Sequence, residues 1–182
     1  MNTMTDPKDT LPRKGLLSHL RAIFSVIALL VFGLIWAYFL TGQMRSYKVI
    51  SRSMAPTLEV GDYVLMVRDE STRDLRGNII AFDNPTKPGD ALTKRVVAAE
   101  GDTVVLRDGS IYVNDKPEAH NVGKIVNVSD YKWEIHADEL FVMGDNRNES
   151  YDSIDTGPIS RSLVKGVIVY RYWPSSRAGA LH

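Results

Sequence analysis

Three short segments of this chain contain side chains from which a nucleophilic catalyst could be built. They are residues 51–58 (SRSMAPTL), 94–97 (KRVV) and 144–153 (GDNRNESYDS). Together they supply several serines and one lysine, and they contain no histidine. A serine hydroxyl becomes an effective nucleophile beside a base, and a neutral lysine amine can act as that base. The segments therefore favour a serine–lysine mechanism.

Lys94 is unusual because it falls on an apolar face of its predicted strand. Side chains alternate along a strand, which groups Lys94 with three apolar residues: Leu92, Val96 and Ala98. Burial disfavours the ammonium form and can lower a lysine pKa from about 10.4 by up to several units. Such an amine could take the proton of a serine hydroxyl.

Ser51 and Ser53 are predicted to face the same space. If residues 47–53 are extended, the two-residue period of a strand puts both hydroxyls on one face. Pro56 favours an extended segment or a turn directly after Ser53, which leaves that serine accessible at a strand end.

Each of these features also has an ordinary structural explanation. A serine before Met-x-Pro is usually a turn residue, a lone lysine among apolar neighbours usually extends its amine to water, and Gly-Asp-Asn after a strand is a common turn. Their joint presence and order favour the chemical interpretation.

Composition excludes several other classes. The chain has 182 residues, no cysteine and a formal net charge of zero. The absence of cysteine excludes thiolate nucleophiles and disulfides, and the four histidines are scattered without zinc-binding spacing. We therefore expect no metal and no other cofactor. A neutral chain also lacks the basic face that nucleic acid binding requires.

An apolar segment near the N-terminus predicts a membrane anchor. Residues 23–40 are almost wholly apolar, and as a helix they would cover about 27 Å, close to the thickness of the hydrocarbon layer. A cleaved secretory signal has a shorter core and ends at a small-x-small site, which residues 37–42 do not offer. Four basic residues before the segment favour a cytoplasmic N-terminus. The predicted organisation is a disordered cytoplasmic tail (1–22), a transmembrane anchor (23–42) and an extracytoplasmic domain (45–182).

The outer domain is predicted to consist of β-strands. Its apolar runs are short, rich in Val, Ile and Tyr, and separated by turn residues. The predicted strands are 47–51, 63–67, 78–82, 92–99, 103–106, 111–113, 140–143 and 167–172, with a hairpin at Asp108–Gly109. Helix is limited to the anchor and a turn around 160–164, and residues 115–138 give no clear pattern.

Four motifs make the chain resemble the type I signal peptidases, which are membrane-bound serine endopeptidases. The motifs are Ser-Met-x-Pro-Thr-Leu (53–58), Gly-Asp-Tyr (61–63), Lys-Arg-Val-Val (94–97) and Gly-Asp-Asn-Arg-x-x-Ser-x-Asp-Ser (144–153). They occur in family order, and the resemblance runs from the anchor to the last strand.

The resemblance implies a role for each matching residue. Ser53 would be the nucleophile and Lys94 the general base, with Ser150 orienting the lysine amine. Ser51 and the backbone N–H of Ser53 would form the oxyanion hole. A supporting shell would hold the third segment against the lysine strand: Asp145, Asn146, Arg147 and Asp152.

The resemblance also implies a fold, a substrate and a location. The fold would be mainly β, an antiparallel catalytic domain of coiled sheets with one N-terminal transmembrane helix. Substrates would be the signal peptides of exported preproteins, bound as an added strand and cut after Ala-x-Ala. The enzyme would lie in the inner (plasma) membrane, with the lipid bilayer as a partner and the secretion translocon as a candidate partner.

Two positions depart from the family pattern. Ile154 stands where the family usually has Arg, so a salt bridge to Asp152 is expected to be missing, with Arg147 as the main partner of that carboxylate. Arg52 replaces a small residue before the nucleophile. Both suggest a divergent member of the family.

Three alternatives remain open on the sequence. A self-cleaving repressor shares the Ser-Met and the strand-borne lysine, but the anchor and the third segment count against it. The second is a conjugation-type peptidase with one dedicated substrate, which the sequence barely distinguishes from a general signal peptidase. The third is an inactive membrane-tethered module that binds signal-like peptides.

Overall fold

The computed structural model describes residues 13–68, 74–87, 89–120 and 123–181. The chain divides into two compact units, Met1–Thr41 and Gly42–His182. The first unit contains one helix and the second contains all of the strands.

Helix α1 comprises Arg13–Leu40, and its side chains from Leu17 onward are exposed. The span Leu17–Leu40 is the one described helix that is long and apolar enough to cross a membrane. The prediction of disorder is wrong for residues 13–22, while residues 1–12 lie outside the described residues. No proline follows Pro12 before Pro56, so nothing interrupts the helix before the apolar run.

The larger sheet is antiparallel and follows the strand order β1-β2-β11-β3-β4-β9-β10, with β12 paired to β11. Its strands are β1 (Met44–Lys48), β2 (Tyr63–Val67), β3 (Ile79–Asp83), β4 (Ala91–Ala99), β9 (Glu139–Met143), β10 (Ile159–Ser160), β11 (Val164–Trp173) and β12 (Gly179–Ala180). Strand β4 lies inside this sheet, between β3 and β9.

The smaller sheet follows the order β7-β6-β5-β8 and is also antiparallel. Its strands are β5 (Thr103–Arg107), β6 (Ser110–Val113), β7 (Lys116–Pro117) and β8 (Tyr131–Glu134). The predicted hairpin is confirmed: Arg107 pairs with Ser110, and Asp108 and Gly109 both have positive φ, at 51° and 71°. That conformation matches the right-handed twist of the two strands.

The mainly β prediction is confirmed, and the differences concern short elements. The first predicted strand (47–51) is wrong by three residues, because β1 ends at Lys48 opposite Tyr63, where its partner β2 begins. Strand β8 lies in the stretch that gave no pattern. A short helix, α2 (Ser153–Thr156), was not predicted, and two single 3₁₀ turns occupy Arg161–Leu163 and Ser175–Arg177.

Three buried apolar clusters form the core of the second unit. The central cluster lies on one face of the larger sheet and includes Ile80, Phe82, Val96 and Val142. The intersheet cluster joins Phe141 and Met143 to the smaller sheet. The turn cluster includes Met54, Leu58, Ile79 and Ile168, and it lies under the segment that contains Ser53.

Candidate active site

Ser53 lies in a turn five residues after the end of β1. Backbone bonds close this turn, from Ala55 N–H to the Arg52 carbonyl (3.0 Å) and from Leu58 N–H to the Met54 carbonyl (2.8 Å). Met54 and Leu58 are fully buried in the turn cluster. These two apolar anchors fix the turn to the core, while Ser53 stays only half-buried.

The hydroxyls of Ser51 and Ser53 lie side by side, with 3.2 Å between the two Oγ atoms. The juxtaposition expected from alternation is therefore present, although the strand itself ends earlier. Ser51 is exposed and Ser53 is half-buried, so both hydroxyls are open to solvent at least in part.

Lys94 is buried within β4, with an exposed fraction of 3%. It pairs across the sheet with Ile80, and its neighbour Leu92 pairs with Phe82. The apolar face expected for Lys94 is therefore present. The expected grouping with Ala98 is wrong, because a bulge after Val96 shifts the register and turns Ala98 toward the intersheet cluster.

The surroundings of Lys94 favour its neutral form. Burial lowers the pKa of the Lys94 amine below its ordinary value, while the carboxylates of Asp152 and Asp155 partly oppose this shift. Ser53 Oγ bonds to Ser51, and there is no hydrogen bond between Ser53 and Lys94.

The third segment packs directly on the nucleophile turn. The backbone N–H of Asn146 donates to the Ser53 carbonyl (3.0 Å), and its side-chain amide donates to the Arg52 carbonyl (3.2 Å). Gly144 lies so close that a Cβ there would overlap the Ser150 side chain and the Ser53 carbonyl oxygen. The structure thus brings Ser53, Asn146 and Ser150 together.

Ser150 has a buried hydroxyl with no hydrogen-bond partner among the described residues. It lies near enough to the Asp152 carboxylate to favour the charged form of that group, without reaching hydrogen-bond geometry. A buried polar atom that lacks a partner is uncommon and is often found at functional sites.

Asp145 connects the third segment to the lysine strand. Its carboxylate accepts two bonds from the guanidinium of Arg95, at 2.9 and 2.8 Å, and both side chains are buried. Burial opposes the charged form of Asp145, but the bonds from Arg95 and the hydroxyl of Thr57 prevail and hold its pKa below the ordinary value. Arg95 also donates to the Gly77 carbonyl (2.7 Å).

Asp152 is the N-cap of α2. Its carboxylate accepts the backbone N–H groups of Gly144 (2.9 Å) and Ile154 (3.2 Å). The backbone N–H of Asp152 in turn donates to the Asp155 carboxylate (3.0 Å). Burial raises the pKa of Asp152 despite these bonds and the nearby Lys94 amine. The carboxylate therefore lies beside Lys94 and is held by backbone groups.

The expectation that Arg147 is the main partner of Asp152 is wrong. Arg147 instead forms a buried ion pair with Glu118 (2.7 Å) and donates to the His120 carbonyl (3.2 Å). Glu118 belongs to the stretch that gave no pattern, and a single acidic residue there carried no signal. Ile154 packs against the intersheet cluster. The backbone donors described above satisfy Asp152 without an arginine at that position.

The described residues contain no group of three or more His, Asp and Glu side chains placed to hold a metal ion.

Comparison with known proteins decides the family. Residues 17–173 match the model of the family described as signal peptidase, peptidase S26. The chain belongs to this family. The resemblance expected from the four motifs is confirmed, and so is the enzyme class, a serine endopeptidase.

Several known proteins are similar to this peptidase over most of its length. A signal peptidase I of Leptolyngbya laminosa is 37% identical over 144 residues, which are 72% of this chain and 70% of the relative. A probable thylakoidal processing peptidase of Arabidopsis thaliana is 36% identical over 139 residues, but the match spans only 37% of that longer protein. A crystal structure of a signal peptidase I from Enterococcus faecalis has 30% identity and a TM-score of 0.45, covering 53% of this chain and 97% of that one.

Proposed function

We propose that this peptidase is a membrane-anchored signal peptidase I that cleaves signal peptides from exported preproteins with a Ser53–Lys94 dyad. The observation that carries the mechanism is Lys94 itself, whose side chain is buried within β4 and whose amine has a lowered pKa. The Leptolyngbya relative, named signal peptidase I, supports the reaction.

In the proposed first step, Ser53 Oγ attacks the scissile carbonyl carbon while Lys94 Nζ accepts the hydroxyl proton. The negative charge that develops on the carbonyl oxygen is stabilised by the backbone N–H of Ser53 and the hydroxyl of Ser51. Lys94 then donates its proton to the leaving amine, which releases the mature protein and leaves an acyl-enzyme. A water that gives its proton to Lys94 attacks this ester, the bond between Ser53 Oγ and the acyl carbon breaks, and Lys94 returns the proton to Ser53 Oγ as the signal peptide is freed.

The bond between Ser53 and Lys94 is expected to form in the substrate complex, since catalytic hydrogen bonds are often long or absent before substrate binds. Ser150 is the group we assign to orient the lysine. Its buried hydroxyl has no other partner among the described residues, so it is free to accept or donate a bond to the amine.

Helix α1 is the proposed anchor. The side chains of Leu17–Leu40 are exposed, and an apolar helix of this length is long enough to span the hydrocarbon layer of a bilayer. The basic residues before it favour a cytoplasmic N-terminus in the inner membrane, with residues 45–182 on the outer side. In this arrangement the protein would contact the lipid bilayer, and the secretion translocon is a candidate partner.

The proposed substrate binds extended beside the active-site strands and has small residues at the first and third positions before the cut.

The direct test is cleavage of an Ala-x-Ala preprotein by the full-length protein in detergent. The wild type should cut after the second alanine, and Ser53→Ala should not cut. Ser110→Ala alters a half-buried serine of β6 and serves as the matched control, with activity near that of the wild type. Equal cleavage by wild type and Ser53→Ala would refute the nucleophile, and binding without cleavage by the wild type would indicate an inactive peptide-binding module.

A further inference from the structure

The Gly61-Asp62-Tyr63 motif takes no part in the chemistry above, yet Asp62 is only 2% exposed. Its carboxylate accepts the backbone N–H of Glu59 (2.9 Å). It also pairs with two arginines from the end of the chain, Arg171 at 3.5 Å and Arg177 at 3.4 Å. The Asp62 carboxylate therefore has one backbone partner and two guanidinium partners.

Both arginines also reach the nucleophile turn. Arg171 Nη1 donates to the Thr57 carbonyl (2.6 Å), and Arg177 Nη2 donates to the Pro56 carbonyl (3.0 Å) and more weakly to that of Thr57 (3.5 Å). These carbonyls lie three and four residues after Ser53. Asp62 thus holds two guanidiniums in place, and the guanidiniums hold the backbone of the turn.

Thr57 extends this network toward the base. Its hydroxyl helps to lower the pKa of the Asp145 carboxylate, and that carboxylate pairs with Arg95, the residue next to Lys94. The arginines therefore bind the backbone carbonyl of Thr57, and the Thr57 side chain lies near the carboxylate of the third segment. The nucleophile and the base share a connected set of contacts.

The last residues of the chain complete the support. The 3₁₀ turn Ser175–Arg177 places Arg177, and β12 pairs with β11 just after it. Leu181 bonds through its N–H to the Val169 carbonyl (3.0 Å) and packs against the turn cluster that holds Met54 and Leu58. This segment lies beyond the residues that match the family, which end at 173.

We propose that Asp62, Arg171 and Arg177 form a carbonyl clamp that positions Ser53, and that residues 174–181 are part of the support of the nucleophile. The proposal rests on the proposed function. These residues touch no reacting atom, so they are positioning residues. Their effect should appear in the rate of acylation more than in substrate affinity.

Arg177→Gln is the most specific test of the clamp. Asp62 keeps Arg171 as its partner in this variant, so we expect the fold to be retained. Small displacements of a reacting group can cost on the order of 10²-fold, so kcat should fall by about 10- to 100-fold with KM nearly unchanged. Arg177→Lys keeps the charge and one donor and should recover part of the loss. Arg107→Gln removes an exposed arginine of β5, beside Tyr112, and is the matched control.

Hydrogen exchange gives a readout that does not depend on activity. In Arg177→Gln, the amides of Ala55 and Leu58, which close the nucleophile turn, should exchange faster, while those of the β5–β6 hairpin should not change. If the wild type cleaves nothing, the proposed function fails and exchange alone decides the clamp. Unchanged exchange at Ala55 and Leu58, or a kcat within twofold of an active wild type, would overturn the clamp.

Discussion

Asp145 and Arg95 form a two-bond ion pair in the interior of the protein, with distances of 2.9 and 2.8 Å. One partner belongs to the segment that packs on Ser53, and the other follows Lys94 in β4. The pair therefore joins the segment that packs on Ser53 to the strand that contains Lys94, and both side chains are almost fully buried.

Asp145→Asn should destabilise the protein by about 3–5 kcal/mol, because the substitution removes one charge of a buried ion pair. The pKa of Asp145 is held low in the folded state, so the stabilisation from this pair is present above the ordinary carboxyl pKa and is lost as the pH falls. Thermal unfolding of the full chain in detergent, followed at several pH values, measures both effects. Asp90→Asn removes an exposed ion pair with Lys87 and should leave the melting temperature nearly unchanged. An equal effect of the two substitutions would contradict the role of Asp145.

Asp152→Asn should move the acidic limb of the pH–rate profile to lower pH. Lys94 must be neutral to act as a base, so kcat/KM rises as the pH passes upward through its pKa. The Asp152 carboxylate raises that pKa, and its removal lets burial lower the pKa further. Asn is also a good helix N-cap, so α2 should remain formed. If the acidic limb of the profile does not move, or moves to higher pH, a group other than Lys94 controls the rate.

Ser150→Ala tests whether Ser150 orients the Lys94 amine without contributing to the stability of the fold. The hydroxyl has no hydrogen-bond partner among the described residues, so its removal should leave the melting temperature unchanged or slightly raised. Loss of the group that orients Lys94 should lower kcat by about 10²-fold, within the range for acid–base assistance. Full activity in this variant would remove Ser150 from the mechanism.

Ser51→Ala should reduce kcat by roughly 10²- to 10³-fold, as expected for the loss of one oxyanion donor. Because Ser51 is exposed, the same substitution should barely affect folding. Ser162→Ala, another exposed serine with a serine partner two residues away, is a suitable control. A loss below tenfold would assign Ser51 a structural role.

The periodic parts of the site could be predicted from the sequence. Alternation placed Lys94 on an apolar face and Ser51 beside Ser53, because both features depend on local two-residue geometry. Ala98 was misplaced because a bulge after Val96 adds one residue, and a bulge within an unbroken apolar run leaves no mark in the pattern.

Contacts between distant parts of the chain could not be predicted. Arg147 donates a hydrogen bond to Glu118, which is 29 residues away in the sequence. Arg177 donates one to Asp62, which is 115 residues away. A single acidic residue in a loop does not identify its partner, since pairing depends on the tertiary fold. The same limit explains the error over Asp152, whose partners are the backbone N–H groups of Gly144 and Ile154.

The central claim is that Lys94 acts as a neutral base, and turnover by Lys94→Arg tests it most directly. Arginine keeps the positive charge but does not lose its proton near neutral pH, since its pKa exceeds about 12. Lys165→Arg, in a surface ion pair with Asp83, controls for the change of residue type. With an Ala-x-Ala preprotein as substrate, the account predicts no detectable cleavage by folded Lys94→Arg and normal cleavage by Lys165→Arg; retained cleavage by Lys94→Arg would contradict it.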